Sequence, residues 1–522
     1  MRKVIIASIV AVASCNSPEN NVPAPEVIEA INLKKGEVIW CGPAMANFGS
    51  VKFNVTASPE VKKDFDQAIA MLHSFEYEES EKAFAAVIAE DPSFTLAYWG
   101  VAMSNFHPLW EPPKPDDLKK GSKAIEIARA IKNKSPREAD YLEAIAAFYD
   151  NWQTVDHKTR CLNYERKMEA VYKKYPNDSE AAVFYALALN ATAEPTDKTH
   201  ANQMKAGEIL NKLANGQPDH PGIIHYIIHN YDSPELAENA LTAARKYASV
   251  APASAHAQHM PSHIFVRLGL WDEAIASNIA SVNSARCYAE KATLNGNFDE
   301  ELHGLDYLMY AYLQKGDNKK AEELLKYLRT IKQVSATNAK VAYAYAAMPS
   351  RYVLENRKWK EAAVLQSYPE NFTWKNFPWQ NAITVFTRLL GKAHTGDIKG
   401  AEQELDELKK LQAELLSQKD KYKANQVQVQ ILAGSAWIDL KKGDKSKATE
   451  QMRQAADLED ATMKHPVTPG EVLPARELLG DMYLALNQRD EAIEAYASDL
   501  KNHAKRLNGL KGASLAEHLK SH

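Results

Sequence analysis

The chain has 522 residues, 63 Lys and Arg against 67 Asp and Glu, and a formal net charge of −4. A balanced, slightly acidic composition offers nothing to attract a nucleic-acid backbone, and an apolar content of 45% over this length is ample for a large core. Beyond the N-terminus no segment is long and apolar enough to be transmembrane.

The chain begins MRKVIIASIVAVASCN: two basic residues, an apolar run from Val4 to Val12, then small residues ending at Cys15. That pattern is an export signal over residues 1–14, and Val12, Ala13, Ser14 and Cys15 resemble the lipobox of bacterial lipoproteins. The resemblance implies cleavage before Cys15 and lipidation of its thiol, which anchors the chain in the outer membrane of a Gram-negative-type envelope. Residues 15–32, rich in Pro and Asn, read as a tether. Residues 33–59 cluster Val, Ile, Phe and Thr between glycines and are expected to form a short irregular or β-like lead-in. Cys41, Cys161 and Cys287 then remain, far apart and odd in number, so at most one disulfide is expected.

From residue 60 to 505 the sequence is helical almost throughout, with a 3.6-residue apolar period and Gly or Pro between segments. Hinge phrases such as QKGDNKKAEEL, HTGDIKGAEQEL and KKGDKSKATEQM mark turns between paired helices. Within them and their counterparts, Ala274, Ala321, Ala362, Ala401, Ala448 and Ala492 recur at intervals of 39 to 47 residues. Such intervals define a repeat of helical hairpins. Residues 506–522 read as a C-terminal tail.

In YEESEKAFAAVIAEDP, Ser80, Phe84, Val87 and Pro92 match the small, aromatic, small and proline positions of the second helix of a tetratricopeptide (TPR) repeat. A small residue lets paired helices approach, an aromatic fills the gap to the next pair, and proline ends the helix. The fold expected is all-α, a TPR-like right-handed superhelix, or α-solenoid, of helical hairpins. Longer phrases, including LAYWGVAMSNFHPLW, HYIIHNYDSPELAE and HAQHMPSHIFVRLGLW, resemble a family of bacterial TPR lipoproteins of unassigned activity. That resemblance strengthens the fold and is silent on chemistry. Family members often carry a cysteine just before the first repeat where this chain has NVTASPEV, so a bridge from Cys41 to that position is excluded.

Five of the 16 histidines fall between His225 and His263. His225 and His229 share a helix face, as do His256, His259 and His263, and His303 lies on the first helix of the following hairpin. If these first helices lie side by side, the six imidazoles converge. Imidazole is a good ligand for zinc or copper. HYIIH, however, has Tyr226 where the metalloprotease HExxH motif has glutamate, no nucleophile motif accompanies the histidines, and Pro261 is placed to turn their faces apart. Polar packing between hairpins accounts for them more simply.

The sequence therefore supports, first, a membrane-anchored scaffold that binds a protein or peptide in its concave groove, with no catalysis, no cofactor and no nucleic acid. The alternative is a metal- or small-ligand-binding protein, even a hydrolase, built on the histidine cluster with a divalent transition metal (Zn or Cu).

Overall fold

A computed structural model describes residues 22–42, 47–109, 112–194, 197–462 and 464–521. The signal segment 1–14, Cys15 and the start of the tether lie outside the described residues. Among the described residues the architecture is all-α: 25 α-helices and a pair of two-residue strands, with each helix packed mainly on its neighbours in sequence. That is a solenoid of helical hairpins. No described helix is long and apolar enough to cross a membrane.

The repeat chemistry is visible in the first hairpin, Pro59–His73 with Tyr77–Glu90. Ser58 caps the first helix by accepting from the Val61 amide. Ser80 is fully buried and donates to the Ala68 carbonyl at 3.0 Å across the hairpin. Phe84 fills the space over Gly100 of the next helix, so closely that a methyl group there would lie 2.4 Å from the ring. The six register alanines are all fully buried. The GD phrases work in two steps. Gly316, Gly396 and Gly443 take positive φ and end one helix, and Asp317, Asp397 and Asp444 then accept amide hydrogens at 2.9 to 3.1 Å to start the next.

The tether and the C-terminal tail depart from expectation, whereas the lead-in takes the irregular one of its two expected forms among its described residues: its amides are taken by carboxylates of the first hairpin rather than by another strand. Lys34 N–H donates to Glu81, Ile39 N–H to Glu79 and Phe53 N–H to Asp66, at 2.7, 2.7 and 3.0 Å. The strand pair instead joins Asn297–Phe298 to Val334–Ser335. The tether contains a short helix, Pro25–Glu29. The expected C-terminal tail is a helix, Leu507–Ser521, because Gly509 and Gly512 let it close on Leu500 and Tyr496, and the fully buried Arg506 pins its start to Glu477 and Glu355.

Cys41 and Cys287 form a disulfide that ties the lead-in to the helix Trp271–Lys291, while Cys161 is a buried free thiol. Buried apolar residues fall into two clusters, one spanning residues 31 to 311 and the other 282 to 516. They share the helix Asp299–Gln314, which gives Tyr307 and Tyr310 to the first cluster and Leu302, Leu305 and Leu308 to the second. The candidate site lies at this junction.

Candidate metal centre

The helix Pro221–Asn230 carries His225 and His229 one turn apart. The next first helix is broken at Pro261 into Ala255–His259 and Pro261–Arg267, but Met260 keeps helical dihedrals (φ −53°, ψ −37°) and the chain runs on almost without a bend. Proline sits at the first position of the second piece, where the missing amide costs least. His259 and His263, which flank Pro261, therefore stay together rather than being turned apart as Pro261 suggested. His256 turns toward His225 and His229, and His259 and His263 turn toward His303 on Asp299–Gln314.

Two triads result, His225/His229/His256 and His259/His263/His303, each offering three ring nitrogens within 4.8 Å of one another. In the first, His225 Nε2 stands 3.0 Å from His229 Nε2 and 3.1 Å from His256 Nε2. In the second, the Nε2 atoms of His259 and His263 are 3.1 Å apart. Two imidazoles bound to one ion at about 2.05 Å would hold their nitrogens about 3.3 Å apart in a tetrahedral arrangement. The triads adjoin, with the His229 and His263 ring centroids 6.4 Å apart.

For three of the six rings, those of His225, His259 and His263, the hydrogen bond at the far side fixes which nitrogen is bare. His225 Nδ1–H donates at 2.7 Å to the carbonyl of His73, which ends its helix and has no intrahelical partner. His259 Nδ1–H donates to Asn278 Oδ1 at 2.7 Å, and the Asn278 amide is oriented by its own donation to the Ala274 carbonyl. His263 Nδ1–H donates to Asp232 Oδ2 at 2.9 Å. With Nδ1–H committed, a neutral ring presents Nε2 as a lone pair. Burial keeps the rings neutral: it pushes His225 down to about 3 and His229, His256, His259 and His303 well below the usual histidine range. Burial lowers His263 too, although Asp232 pulls the other way.

A third cluster behaves differently. His73, Glu180 and His220 also bring ligand atoms together, but each contact pairs a donor with an acceptor. His73 Nε2 and His220 Nε2 meet the two Glu180 oxygens at 2.9 and 2.7 Å, and His73 Nδ1 meets the Tyr226 hydroxyl at 2.9 Å. Burial alone would raise the Glu180 carboxyl, but His220 and His73 outweigh it and hold it well below the usual carboxylate range. This is satisfied polar packing. It also engages the Tyr226 hydroxyl, so the residue that stands where a zincin has glutamate belongs to this third cluster.

Sequence reading missed the residues that orient the rings. Asp232 follows His229 in the HNYD phrase and was legible as a nearby carboxylate, but Asn278, Tyr307 and the His73 carbonyl come from other hairpins. Tyr307 is fully buried, with its hydroxyl 3.3 Å from His263 Nε2.

Fold and site together define a helical-hairpin solenoid with a six-histidine cluster, four of whose rings are buried and two half-buried. No family model matches the chain, and no curated protein matches it. Among solved structures it is similar to a Rap protein complexed with competence and sporulation factor, at 14% identity and a TM-score of 0.36 over 77% of this chain and 98% of that one. It is also similar to human IFIT1 as a dimer with PPP-AAAA, at 11% identity and a TM-score of 0.38 over 95% and 100% of the two chains. A third similarity is to the P58(IPK) TPR domain, at 12% identity and a TM-score of 0.21 over 88% and 98%. Superpositions this loose carry no argument about the present chain, and the solenoid assignment rests on its own helix packing.

Proposed function

We propose that this protein binds two transition-metal ions, one on His225, His229 and His256 and one on His259, His263 and His303. The observation that carries this reading is the 3.1 Å approach of His259 Nε2 to His263 Nε2 while both Nδ1–H groups are committed elsewhere. Two neutral rings so fixed face each other lone pair to lone pair, which is unfavourable without a cation between them. An all-imidazole donor set with no thiolate suits zinc or copper and argues against magnesium or calcium. Elemental analysis after loading the purified chain with Zn(II) or copper should find two ions per chain, falling in a His229→Ala, His259→Ala double variant that keeps its helical circular dichroism. A folded wild-type chain that takes up neither metal refutes the reading.

A helical-hairpin solenoid is also a fold suited to holding protein partners, and the metal centre, being interior, leaves its outer faces for that use. We further propose the lipid anchor at Cys15 and an outer-membrane location. Loss of fatty-acid labelling in Cys15→Ala is the expected outcome, and unchanged labelling overturns the anchor.

A further inference from the structure

Resting on the metal reading above, we infer that the two triads form one coupled dinuclear copper centre that takes dioxygen across both ions. The geometry supports a pair rather than two separate sites. His256 and His259 leave the same short helix toward different triads, and the His229 and His263 rings adjoin across the boundary with centroids 6.4 Å apart. Among the described residues the six clustered donors are all imidazoles, and the carboxylate that orients the second triad, Asp232, is held on the far side of the His263 ring by His263, Arg267 and Lys464.

Charge then selects the metal and its ligand. Two divalent ions side by side, buried and with no anion between them, repel fourfold more strongly than two monovalent ions at the same spacing. Cuprous copper is the monovalent ion that accepts three imidazoles. Each triad supplies only three donors, so each ion keeps an open position, and a two-atom ligand can fill both. Dioxygen closes the electrostatics as it binds. Each Cu(I) gives it one electron, the O–O bond order falls, and the resulting dianion lies between two Cu(II) ions. The electrons balance and no proton moves.

The approach to the site is also asymmetric. His229 and His256 are half-buried whereas the other four histidines are buried. On that side Phe75, held at φ 58°, places its ring centroid 4.4, 5.5 and 5.7 Å from His225, His229 and His256. A small diatomic passes such a cover more readily than a hydrated anion or a peptide.

The test uses the full chain. Loaded with Cu(I) under anaerobic conditions and then exposed to oxygen, it should bind two copper ions, take up one dioxygen per pair, and give cupric ions that are silent in electron paramagnetic resonance because they are coupled. His229→Ala, a half-buried position where folding is least at risk, should keep one copper, lose the oxygen uptake and become visible in resonance. If the wild-type chain binds two copper ions that oxidise to two resonance-visible centres, or takes up no oxygen, the coupled centre is wrong and the metal reading stands. If it binds no copper but two zinc ions, the coupled copper centre is likewise overturned. If it binds neither metal, both fall.

Discussion

Lys464 is 232 residues from Asp232 in sequence, yet its Nζ lies 3.3 Å from Asp232 Oδ2, the same carboxylate oxygen that accepts from His263 Nδ1. Arg267 holds the other oxygen at 2.9 Å. A single carboxylate thus ties the far end of the solenoid to a residue that orients the second triad.

This arrangement separates orientation from charge. Asp232→Asn keeps the shape but weakens the hold on His263, and metal affinity at the second triad should fall by about 10- to 100-fold. Lys464→Met removes a cation near the same triad and should leave metal affinity equal or higher. Isothermal titration with Zn(II) checks both. Equal losses in the two variants would mean that Asp232 acts only by holding the fold.

If the ions bind the folded chain alone, they must stabilise it. At a free metal concentration of about 100 times Kd the gain is about 2.7 kcal/mol, visible as a rise in melting temperature that EDTA reverses. The same addition to the His229→Ala, His259→Ala variant should move the transition much less. An equal shift in both proteins would place the metal elsewhere.

The third cluster gives the opposite expectation. Glu180 is buried with both oxygens on imidazoles, so Glu180→Gln removes the charge from both rings and leaves one of them facing an amide NH2 in place of an acceptor. Breaking a buried charged network of this kind costs about 3–5 kcal/mol. Urea unfolding should show that loss, while the metal count stays unchanged. A drop in metal content with unchanged stability would show that this cluster, and not the two triads, carries the ions.

The hairpins were legible because their signals are local: Gly then Asp at a turn, alanine on the second helix, Ser80 and Phe84 four apart. The pairing of His225 with His229 was legible for the same reason. The division of His256 from His259 and His263 was not, because it depends on which neighbouring helices flank the short helix Ala255–His259. Nor could local pattern show the His73 carbonyl, which lies 152 residues from His225, or that the amides of the lead-in would be taken by Glu79, Glu81 and Asp66. In each case the deciding partner sits on a different hairpin.

Packing between hairpins predicts a severe effect at one small residue. A Cβ at Gly391 would lie 2.2 Å from the Ala363 amide nitrogen and 2.6 Å from the Ala362 carbonyl carbon. Backbone cannot swing aside as a side-chain tip can, so Gly391→Ala should destabilise by at least the 1–3 kcal/mol typical of overpacking. By contrast Gly443, with open space around its Cβ direction, should lose stability on substitution only through its φ of 92°, about 1 kcal/mol. Chemical denaturation ranks the two, and the reverse order would mean the hairpins are not packed this closely.

Stability should also fall steeply in mild acid, and His394 isolates one contribution. Its ring is stacked on Trp359 at 3.9 Å and lies tilted against Trp437 at 4.3 Å. Burial, with smaller help from Lys441 and Arg357, pushes it down to about 3 from the ordinary histidine value of about 6.5. Between those values the unfolded chain binds a proton that the folded chain does not, so stability is full above about pH 6.5 and is lost as pH falls toward 3. The slope for one such group is about 1.4 kcal/mol per pH unit. His465 is pushed down to about 3 for the same reason and adds to it, whereas burial of His503 is outweighed by Asp499 and Glu471, which raise it and give the opposite sign. His394→Phe keeps the aromatic stack and removes the titration. Its urea midpoint, followed from pH 7 to pH 4, should decline less steeply than the wild-type midpoint by about one proton's worth. Parallel declines would show that His394 is protonated in the folded protein and that packing against the two tryptophans does not exclude its charge.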